Sequence, residues 1–423
     1  MKKLKLIVVG AGSRGSNYSN IMSQDKERFE IVAVAEPIES RRNFIKELYN
    51  LDDDMCFNDY KPLFERGKIA DFALIATMDR DHCEPALKAI ELGYDLLLEK
   101  PIAPTAEECI KIKNAANKKG VRVVICTVLR YTHIFKAIKN IIDSGRIGNI
   151  MSVNHEECVG NIHQSHSFVR GNWGNSERSS NMLLQKSCHD IDILQWLLNK
   201  KCKSVQSYGT CSFFRIENAP EDTPEYCVNG CRIADTCPYN AVKIYYDDKK
   251  NEWFRTTATK EHLPTDEDVM KAISETQYGK CVFKCDNDVV DHQVVNMLFE
   301  DDITVSFTMN AFNKGGRYIH IMGTLGELRA ALDGSTPISL YNFETKEEEK
   351  IPYIGKDGIT GGHGGGDQGI IRDLYDYLCD SYSGFSIPTI EESLYNHLLV
   401  FAAEESRKNN LVIDVNEYIE NFN

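Results

Sequence analysis

Three glycines near the N-terminus place the strongest constraint on how this chain can fold. An apolar run, Leu4–Val9, leads directly into Gly10, Gly12 and Gly15, which have G-x-G-x-x-G spacing. This order predicts a strand, a tight turn that lets the backbone approach a pyrophosphate, and a helix packed closely on its strand. The N-terminal N–H groups of that helix would bind the phosphates of a dinucleotide. The candidate cofactor-binding residues of the turn are Gly10, Ala11, Gly12, Ser13, Arg14 and Gly15.

An acidic residue follows the second predicted strand. This strand covers Phe29–Ala35 and ends at Glu36. A carboxylate at this position accepts hydrogen bonds from the adenosine ribose hydroxyls of NAD, and it repels the 2′-phosphate of NADP. Arg41 and Arg42 follow closely, and they would pair with such a phosphate. NAD is therefore the favoured cofactor, and NADP stays open.

Strand-like and helix-like patterns alternate through residues 1–130. Apolar runs suited to strands occur at 4–9, 29–35, 71–77, 94–98 and 121–127, with helical patterns between them. This alternation predicts an α/β domain with a doubly wound parallel sheet, the Rossmann architecture. Such sheets bind ligands beyond the carboxyl ends of their strands. Further candidate cofactor-binding residues at this edge are Thr77, His82, Glu99, Lys100 and Arg130.

The pattern changes after residue 130. Longer runs of alternating apolar and polar residues, such as 151–158, 302–310 and 318–322, predict a large open sheet that is mostly antiparallel. Helices expected at 134–144, 189–199, 368–379 and 391–409 would cover one face of this sheet. We therefore expect two domains, residues 1–130 and 131–423, with a polar insertion at about 218–280 in the second.

Composition narrows the range of partners. The 423 residues include 49 Lys and Arg against 63 Asp and Glu, a net charge of −14. No basic run with interleaved aromatic residues is present, so nucleic acid and anionic membranes are not expected partners. No stretch approaches about eighteen uninterrupted apolar residues, and Gly10, Gly12 and Arg14 interrupt the apolar N-terminal segment. We expect a cytoplasmic protein.

Fourteen cysteines are present, and in a long chain without a secretion signal we expect reduced thiols. Cys227, Cys231 and Cys237 cluster in one polar stretch, and Cys281 and Cys285 form a later pair. The cluster plus one of the pair would suffice for a tetrahedral structural zinc site, although neither segment has the two-residue spacing of a zinc knuckle. Free, loop-packing thiols are the favoured interpretation, and we expect no metal in the catalytic chemistry.

Two segments carry residues suited to proton chemistry. Lys100 ends the fourth predicted strand and precedes Pro101, which keeps the lysine backbone extended and lets its ammonium point into the ligand edge. There it would bind and acidify a substrate hydroxyl. His189 falls in the first turn of a predicted helix, and its ordinary pKa near 6.5 suits proton removal from an alcohol. Lys186 would supply a second positive donor. We take Lys100, His189 and Lys186 as candidate catalytic residues.

The chain contains Glu99-Lys100-Pro101 and, further on, Gln185-Lys186-Ser187-Cys188-His189-Asp190. Together with the glycine turn, these motifs resemble those of the Gfo/Idh/MocA oxidoreductases, a family named for glucose-fructose oxidoreductase, inositol dehydrogenase and a rhizopine protein. Segments 166–173, 286–293 and 361–367 resemble one branch of it. The resemblance implies a Rossmann domain and a second α/β domain, whose open sheet faces the nicotinamide and serves in homodimers or homotetramers. It also implies carbohydrate or cyclitol substrates.

Side chains in these segments suit a polyhydroxylated substrate, because they offer directional donors and an aromatic face for a sugar ring. The candidate substrate-binding residues are His163, His166, Arg170, Trp173 and His363. The glycine-rich segment 361–366 is expected to be a flexible loop that could close over the cleft.

One position departs from the family pattern. The family has an aspartate four residues before the histidine that matches His189, and this chain has Gln185, which cannot accept a proton. Lys186 would then take over part of that role. Three functions therefore stay open. The leading one is NAD(P)-dependent oxidation of a ring hydroxyl of a sugar, cyclitol or glycoside. The second is a redox-neutral glycosidase that oxidises C3 transiently, eliminates the C1 group, adds water and reduces C3 again. The third is a non-catalytic NAD or sugar sensor.

Overall fold

Six short parallel strands form the sheet of the N-terminal domain. The computed structural model describes residues 2–332, 336–352 and 362–422. The strands of this sheet are β1 (Leu4–Val9), β2 (Phe29–Ala35), β3 (Cys56–Phe57), β4 (Phe72–Ile75), β5 (Asp95–Leu98) and β6 (Val123–Ile125). Their order is β3-β2-β1-β4-β5-β6, which confirms the predicted doubly wound sheet. Most of them are apolar runs, since helices cover both faces.

The strand order determines where a ligand can bind. Because the order reverses at β1, a crevice opens between the carboxyl ends of β1 and β4. The register pairs Val9 with both Ala35 and Ile75, and it pairs Ile75 with Leu98. The segments that follow β1, β2, β4 and β5 therefore meet at one edge of the sheet.

The helices of this domain differ in how they begin. They are α1 (Ser13–Ser23), α2 (Glu39–Tyr49), α3 (Tyr60–Glu65), α4 (Cys83–Leu92) and α5 (Ala106–Lys119). The side chains of Asp59 and Thr105 cap α3 and α5 by accepting backbone N–H groups. Helix α1 begins after Gly12, and no side chain in the described part of the chain caps it. Its first N–H groups are thus free to bind an anion.

A nine-stranded sheet forms the core of the second domain. Its strands are β7 (Ile150–Cys158), β8 (Cys202–Thr210), β9 (His292–Phe299), β10 (Thr304–Asn310), β11 (Gly316–Gly323), β12 (Gly326–Ala331), β13 (Ile338–Asn342), β14 (Glu348–Ile351) and β15 (Ile413–Asp414). The order is β14-β13-β12-β11-β7-β10-β9-β8-β15. Only the pairing of β7 with β10 is parallel among these described strands, which confirms a mostly antiparallel sheet.

The remaining helices are α6 (His133–Asp143), α7 (Asn161–His163), α8 (Met182–Gln185), α9 (Cys188–Leu198), α10 (Glu252–Thr259), α11 (Asp266–Glu275), α12 (Gly366–Leu378), α13 (Ile390–Asn409) and α14 (Val415–Glu420). Five of these described helices contribute to the apolar core on the large sheet, namely α6, α8, α9, α13 and α14. The helix expected at 368–379 packs on the first domain instead. Ile370 and Leu374 of α12 join the apolar core on one face of the first sheet, and Leu394 and Leu398 of α13 join the core on the other. None of the described helices is long and apolar enough to cross a membrane.

The segment between β8 and β9, residues 211–291, is a folded subdomain. It contains α10 and α11, and its own apolar core includes Tyr245, Phe254 and Ile273. The sequence predicted a polar insertion at about 218–280, and the structure extends it at both ends. The subdomain also reaches the N-terminal domain. Arg41 Nε donates to the carbonyl oxygen of Lys260 at 2.9 Å, and the ring of Phe44 stacks on His262 at 3.9 Å.

Candidate active site

The glycine turn shows why its three glycines are needed. Gly10 has φ +89°, and a Cβ on it would lie 2.5 Å from the carbonyl oxygen of Ala76. A Cβ on Gly15 would lie 2.0 Å from the carbonyl oxygen of Gly10. A Cβ on Gly12 would meet only Nη1 of Arg41, at 3.6 Å, among the described residues. Gly12 therefore leaves the space that a pyrophosphate needs to reach the backbone N–H groups of α1.

Glu36 lies beside the glycine turn. Its side chain is buried, and its carboxylate accepts hydrogen bonds from the N–H groups of Ala11 at 2.7 Å and Ile38 at 2.9 Å. Arg42 donates to the carbonyl oxygen of Glu36 at 2.6 Å. These bonds fix a carboxylate at the position where the ribose of an adenine dinucleotide lies in Rossmann folds. The residues at this edge thus fit NAD.

Arg14 joins three segments around the turn. Its guanidinium donates to the carboxylates of Glu99 at 2.8 Å and Asp367 at 2.6 Å, and it contacts the hydroxyl of Tyr18. Burial opposes ionisation of Asp367, but hydrogen bonds from His363 and Arg14 outweigh it and lower the pKa of that carboxyl. The sequence placed Arg14 in a phosphate-binding turn. In the structure its side chain instead locks α1 to the end of β5 and to α12.

His82 and Thr77 connect two loops at the ligand edge. The ring of His82 lies with Nδ1 2.7 Å from the carbonyl oxygen of Pro101 and with Nε2 3.2 Å from that of Thr77. The hydroxyl of Thr77 donates to the carbonyl oxygen of Asp81 at 2.9 Å. His82 is buried, so it holds the loop after β4 against the turn that carries Lys100.

Arg130 is a correction to the predicted cofactor set. Its guanidinium is buried and binds the carboxylate of Asp192 through two hydrogen bonds of 2.8 Å. Asn396 donates to the same carboxylate at 2.7 Å. The side chain therefore links the end of the first domain to α9 and, through the shared carboxylate, to α13. The location of Arg130 after the last predicted strand did not indicate that it pairs with Asp192, because the two residues are 62 positions apart in sequence.

Lys100 lies where the loops after β5 and α8 meet. Its Nζ donates to the carbonyl oxygen of Gln185 at 2.5 Å, and its backbone N–H donates to the carboxylate of Glu99 at 2.9 Å. The ammonium is therefore anchored across the two domains. It is also close enough to His189 to help lower the pKa of that imidazole.

His189 occupies the first turn of α9, as predicted, and it is 5% exposed. Burial and the positive charges of Lys100 and Arg317 hold its pKa well below the ordinary value. Its Nδ1 has no hydrogen-bond partner among the described residues, and its ring lies 6.0 Å from the ring of His363. A neutral imidazole with a free nitrogen at neutral pH is suited to accept a proton.

A buried ion cluster lies behind the histidine, and the sequence did not reveal it. Lys186 Nζ is 3.3 Å from the carboxylate of Glu157. Arg317 Nε is 2.5 Å from Glu157 and 2.8 Å from Asp190, which also contacts Nε2 of His155 at 2.8 Å. Burial lowers the pKa of Lys186, and Glu157 opposes that effect. The sequence did contain one indication. His155 and Glu157 are two and four residues after Val153, so all three lie on the same buried face of β7.

Gln185 does not face the substrate side as a base would. Its Nε2 contacts the carboxylate of Asp79 and donates to the hydroxyls of Ser179 at 2.6 Å and Ser180 at 2.9 Å. Ser179 also donates to Asp79 at 3.0 Å. All four side chains are buried. The Gln185 side chain therefore belongs to a buried polar network around Asp79, an acid that the sequence did not indicate, while the Gln185 carbonyl oxygen binds Lys100.

Two of the predicted substrate-binding residues lie near the catalytic candidates. Burial and the charge of Lys186 hold the pKa of His163 well below its ordinary value, so this ring is close to the ion cluster. His363 lies beside His189 and contacts Asp367 through Nδ1 at 3.1 Å. Gly361, at the start of the glycine-rich segment around His363, lies outside the described residues.

Three other predicted substrate-binding residues pack in the interior. His166 is fully buried, with Nδ1 2.9 Å from the hydroxyl of Tyr245. Arg170 is buried, and it donates to the carbonyl oxygen of Tyr239 at 2.7 Å. Trp173 stacks on Phe168 with ring centroids 5.9 Å apart. The contacts of His166 and Arg170 attach the subdomain of residues 211–291, while Trp173 is half-buried and packs outside it.

Trp253 is an aromatic residue that the sequence analysis did not select. It lies on α10, and 37% of it is exposed. Its ring is 5.2 Å from His163 and 5.1 Å from His166 in edge-on contacts. The subdomain thus brings an exposed aromatic face to the same side of the molecule as the ion cluster.

The fold and the site define a class of protein, an oxidoreductase with an NAD-binding Rossmann domain. Two family models match the chain. One is described as "Oxidoreductase family, NAD-binding Rossmann fold" and matches residues 4–127. The other is described as "Oxidoreductase family, C-terminal alpha/beta domain" and matches residues 139–415. The chain belongs to the Gfo/Idh/MocA oxidoreductase family, as its motifs predicted.

Relatives and solved structures are similar to the chain at low sequence identity. YteT of Bacillus subtilis is 24% identical over 318 residues, covering 72% of each chain. Inositol 2-dehydrogenase of Salmonella typhimurium is 29% identical over 206 residues, which cover 48% of this chain and 57% of the relative. The chain thus matches little more than half the length of that dehydrogenase.

Two solved structures share the fold over nearly the whole chain. The scyllo-inositol dehydrogenase of Lactobacillus casei, with bound NAD(H) and scyllo-inositol, has a TM-score of 0.65 at 16% identity and covers 98% of this chain and 99% of its own. An oxidoreductase of Agrobacterium radiobacter, in complex with NAD+, L-tartaric acid and magnesium, has a TM-score of 0.70 at 15% identity with the same coverage. At these identities the likeness establishes the fold.

Proposed function

We propose that this chain is an NAD-dependent dehydrogenase that oxidises a ring hydroxyl of a cyclitol or sugar. The observation that carries the proposal is the pairing of a fixed lysine ammonium with a neutral, buried histidine at the ligand edge of an NAD-binding sheet. Removing hydride from an alcohol carbon requires that the hydroxyl proton leaves too, so a base and a positive donor are both needed.

Each residue has a distinct part in this reaction. Lys100 Nζ, anchored on the carbonyl oxygen of Gln185, donates to the substrate hydroxyl and stabilises the negative charge that develops on its oxygen. His189, neutral because burial and nearby cations lower its pKa, accepts the hydroxyl proton. Bound NAD supplies the hydride acceptor. Lys186 and Arg317 surround His189 with positive charge and keep it in the basic form.

The surrounding side chains favour a polyhydroxylated ring. His163 and His363 offer ring nitrogens near the ion cluster, and Trp253 offers an exposed aromatic face. Histidine donors bind hydroxyl groups directionally, and an aromatic face packs on the C–H side of a sugar or cyclitol ring. A relative that is an inositol 2-dehydrogenase adds support for a cyclitol.

The adenosine end of the site favours NAD over NADP. The carboxylate of Glu36 lies beside the turn, where a 2′-phosphate would be repelled. Arg42 uses Nη1 to bind the carbonyl oxygens of Glu36 and Pro37, and Arg41 binds that of Lys260. The two arginines that would pair with the 2′-phosphate of NADP therefore already bind backbone carbonyl oxygens.

A redox-neutral glycosidase is the second candidate, and one observation favours it. The contacts of Arg41 with Lys260 and of Phe44 with His262 bring the subdomain over α2, next to the expected adenosine site. A cofactor held in this way would stay bound, and it would return the hydride taken from C3 to the substrate within the same turnover.

One experiment separates these functions. Purified protein is incubated with inositols, sugars and nitrophenyl glycosides, with either stoichiometric or trace NAD, while reduced cofactor and released nitrophenol are measured. Accumulating NADH identifies the dehydrogenase. Nitrophenol release with trace NAD and no net NADH identifies the glycosidase. Binding of NAD with neither product across the panel contradicts an enzymatic role and indicates a sensor.

We also infer that the chain assembles as a homo-oligomer through the open face of the nine-stranded sheet. That face carries a groove of about 310 Å³ between β7, β8, β9 and β10. It exposes Met151 and Tyr208 near the groove, and Val412 lines it. Light scattering of the purified chain should give the mass of a dimer or tetramer, and a monomer at micromolar concentration would contradict this inference.

A further inference from the structure

Four cysteines from two separate segments surround one small cavity in the subdomain of residues 211–291. Cys227, Cys231 and Cys237 come from one loop in Cys-x₃-Cys-x₅-Cys spacing, and Cys281 comes from the segment before β9. The cavity holds about 10 Å³, which is about the room that one water molecule or one ion requires. All fourteen cysteines lie in the described ranges and are free thiols.

A buried positive charge lies against this cavity. Arg170 lines it and is 1% exposed. Its Nε and Nη2 donate to the carbonyl oxygens of Lys280 and Tyr239, and Nη2 is 3.7 Å from the sulfur of Cys227. Among the described residues its Nη1 makes no hydrogen bond of ordinary geometry, although the hydroxyl of Tyr245 lies near the guanidinium, and no carboxylate pairs with it. A buried guanidinium without an anion is costly, so the site lacks a negative charge.

The four sulfurs acquire the missing negative charge when they bind a metal ion. A coordinated thiol is deprotonated by the metal itself. Four thiolates around a divalent cation carry a net charge of −2, which complements Arg170 and gives its Nη1 a sulfur acceptor.

We propose that Cys227, Cys231, Cys237 and Cys281 bind one structural Zn²⁺ and that Arg170 is the counter-charge of this centre. Thiolates in a tetrahedral set select zinc. In residues 2–332, 336–352 and 362–422, no three His, Cys, Asp or Glu side chains are placed so that they could hold a metal ion without moving. Binding therefore includes rotation of the thiols into the cavity, with release of their protons.

The position of the centre assigns it a structural role. It joins the cysteine loop to the bridge between Tyr226 and Lys280, and to Arg170 on the π-helix Gln164–Arg170. That π-helix also carries His166, which packs against Phe254 on α10. The zinc would hold the subdomain on the sheet, and through α10 it would set the position of Trp253.

The test measures the metal directly. The protein is purified under reducing conditions with zinc in the medium, and its metal content is determined by inductively coupled plasma mass spectrometry. We expect about one zinc per chain in the wild type, and loss of most of it in Cys231→Ser. Cys285→Ser is the matched control. Its sulfur lies 3.4 Å from the carbonyl oxygen of Cys281 and does not line the cavity, so this variant should keep its zinc.

A second measurement uses the wild type alone, in case a serine variant fails to fold. Zinc is removed with a chelator under reducing conditions, and Co²⁺ is titrated into the apoprotein. A one-to-one complex with the visible absorption of tetrahedral cobalt thiolate supports the proposal. Absence of zinc in the wild type and of this spectrum on titration would overturn it. So would one equivalent of iron in place of zinc, disulfides among these cysteines in the reduced preparation, or equal zinc loss in Cys285→Ser and Cys231→Ser.

Discussion

Replacing Gly12 with alanine should separate cofactor binding from folding. Gly12 has φ −65° and ψ −165°, a conformation that alanine adopts, and the added methyl would meet only Nη1 of Arg41, at 3.6 Å, among the described residues. Because alanine is a slightly poorer N-cap than glycine, we expect the free energy of unfolding to fall by no more than about 1 kcal/mol.

The same methyl group should weaken NAD binding strongly. It fills the space through which the pyrophosphate reaches the free N–H groups of α1. The loss of one hydrogen bond to a charged group costs about 1.5–3 kcal/mol, so the dissociation constant for NAD should rise roughly 10- to 150-fold. Calorimetric titration with NAD measures this change, and urea unfolding of the same preparation measures stability.

Gly10→Ala is the matched comparison. Gly10 has φ +89°, and its Cβ would lie 2.5 Å from the carbonyl oxygen of Ala76, so β1 and β4 would have to separate. The backbone conformation and the clash together should lower stability by about 2–5 kcal/mol. If Gly12→Ala binds NAD as tightly as the wild type, the pyrophosphate does not sit at this turn. If Gly12→Ala is as unstable as Gly10→Ala, the reasoning about open space is wrong.

Three further predictions concern the rest of the molecule. Asp192→Ala leaves the buried Arg130 without its carboxylate and should lower the free energy of unfolding by about 3–5 kcal/mol in urea; a loss below about 1 kcal/mol would contradict the buried pair. Because the pKa of His189 lies well below 6.5 and its neutral form is the base, kcat/KM should stay constant from pH 8 to pH 6.5 and fall only at lower pH; a fall that begins above pH 6.5 would argue against His189. Phe44→Ala removes the stacking on His262 and should speed NAD dissociation in stopped-flow displacement; an unchanged rate would show that this contact does not retain the cofactor.

The N-terminal domain was predictable because its signals are local. Buried parallel strands are continuous apolar runs, and the glycine spacing fixes the turn between β1 and α1. The start of α9 was equally clear, since Ser187 occupies its N-cap and His189 its first turn. These features depend on residues that are neighbours in sequence.

The ion cluster was not predictable from the same kind of signal. Glu157 on β7 and Arg317 on β11 are opposite each other in an antiparallel pair, although 160 residues separate them in sequence. This contact depends on the register between two strands that are distant in sequence. No local pattern in the sequence predicts that register. The contact between Arg317 and Asp190 was not predictable for the same reason.

The motif around residues 166–173 shows a different limit. Histidine, arginine and tryptophan there suggested substrate contacts, because such side chains are typical of sugar sites. In the structure His166 and Arg170 are buried, and they form hydrogen bonds with Tyr245 and Tyr239 of the 211–291 subdomain. A motif gives residue types, but the packing of the subdomain decides which side they face.

The most direct test of the central claim is the rate of NAD reduction by the best polyol of the panel, compared between the wild type and His189→Ala. His320→Gln, a histidine of β11 that pairs with Glu327, is the control. We predict that His189→Ala lowers kcat at least about 100-fold while NAD still binds, and that His320→Gln leaves kcat nearly unchanged. Equal rates in the wild type and His189→Ala would contradict proton removal by His189.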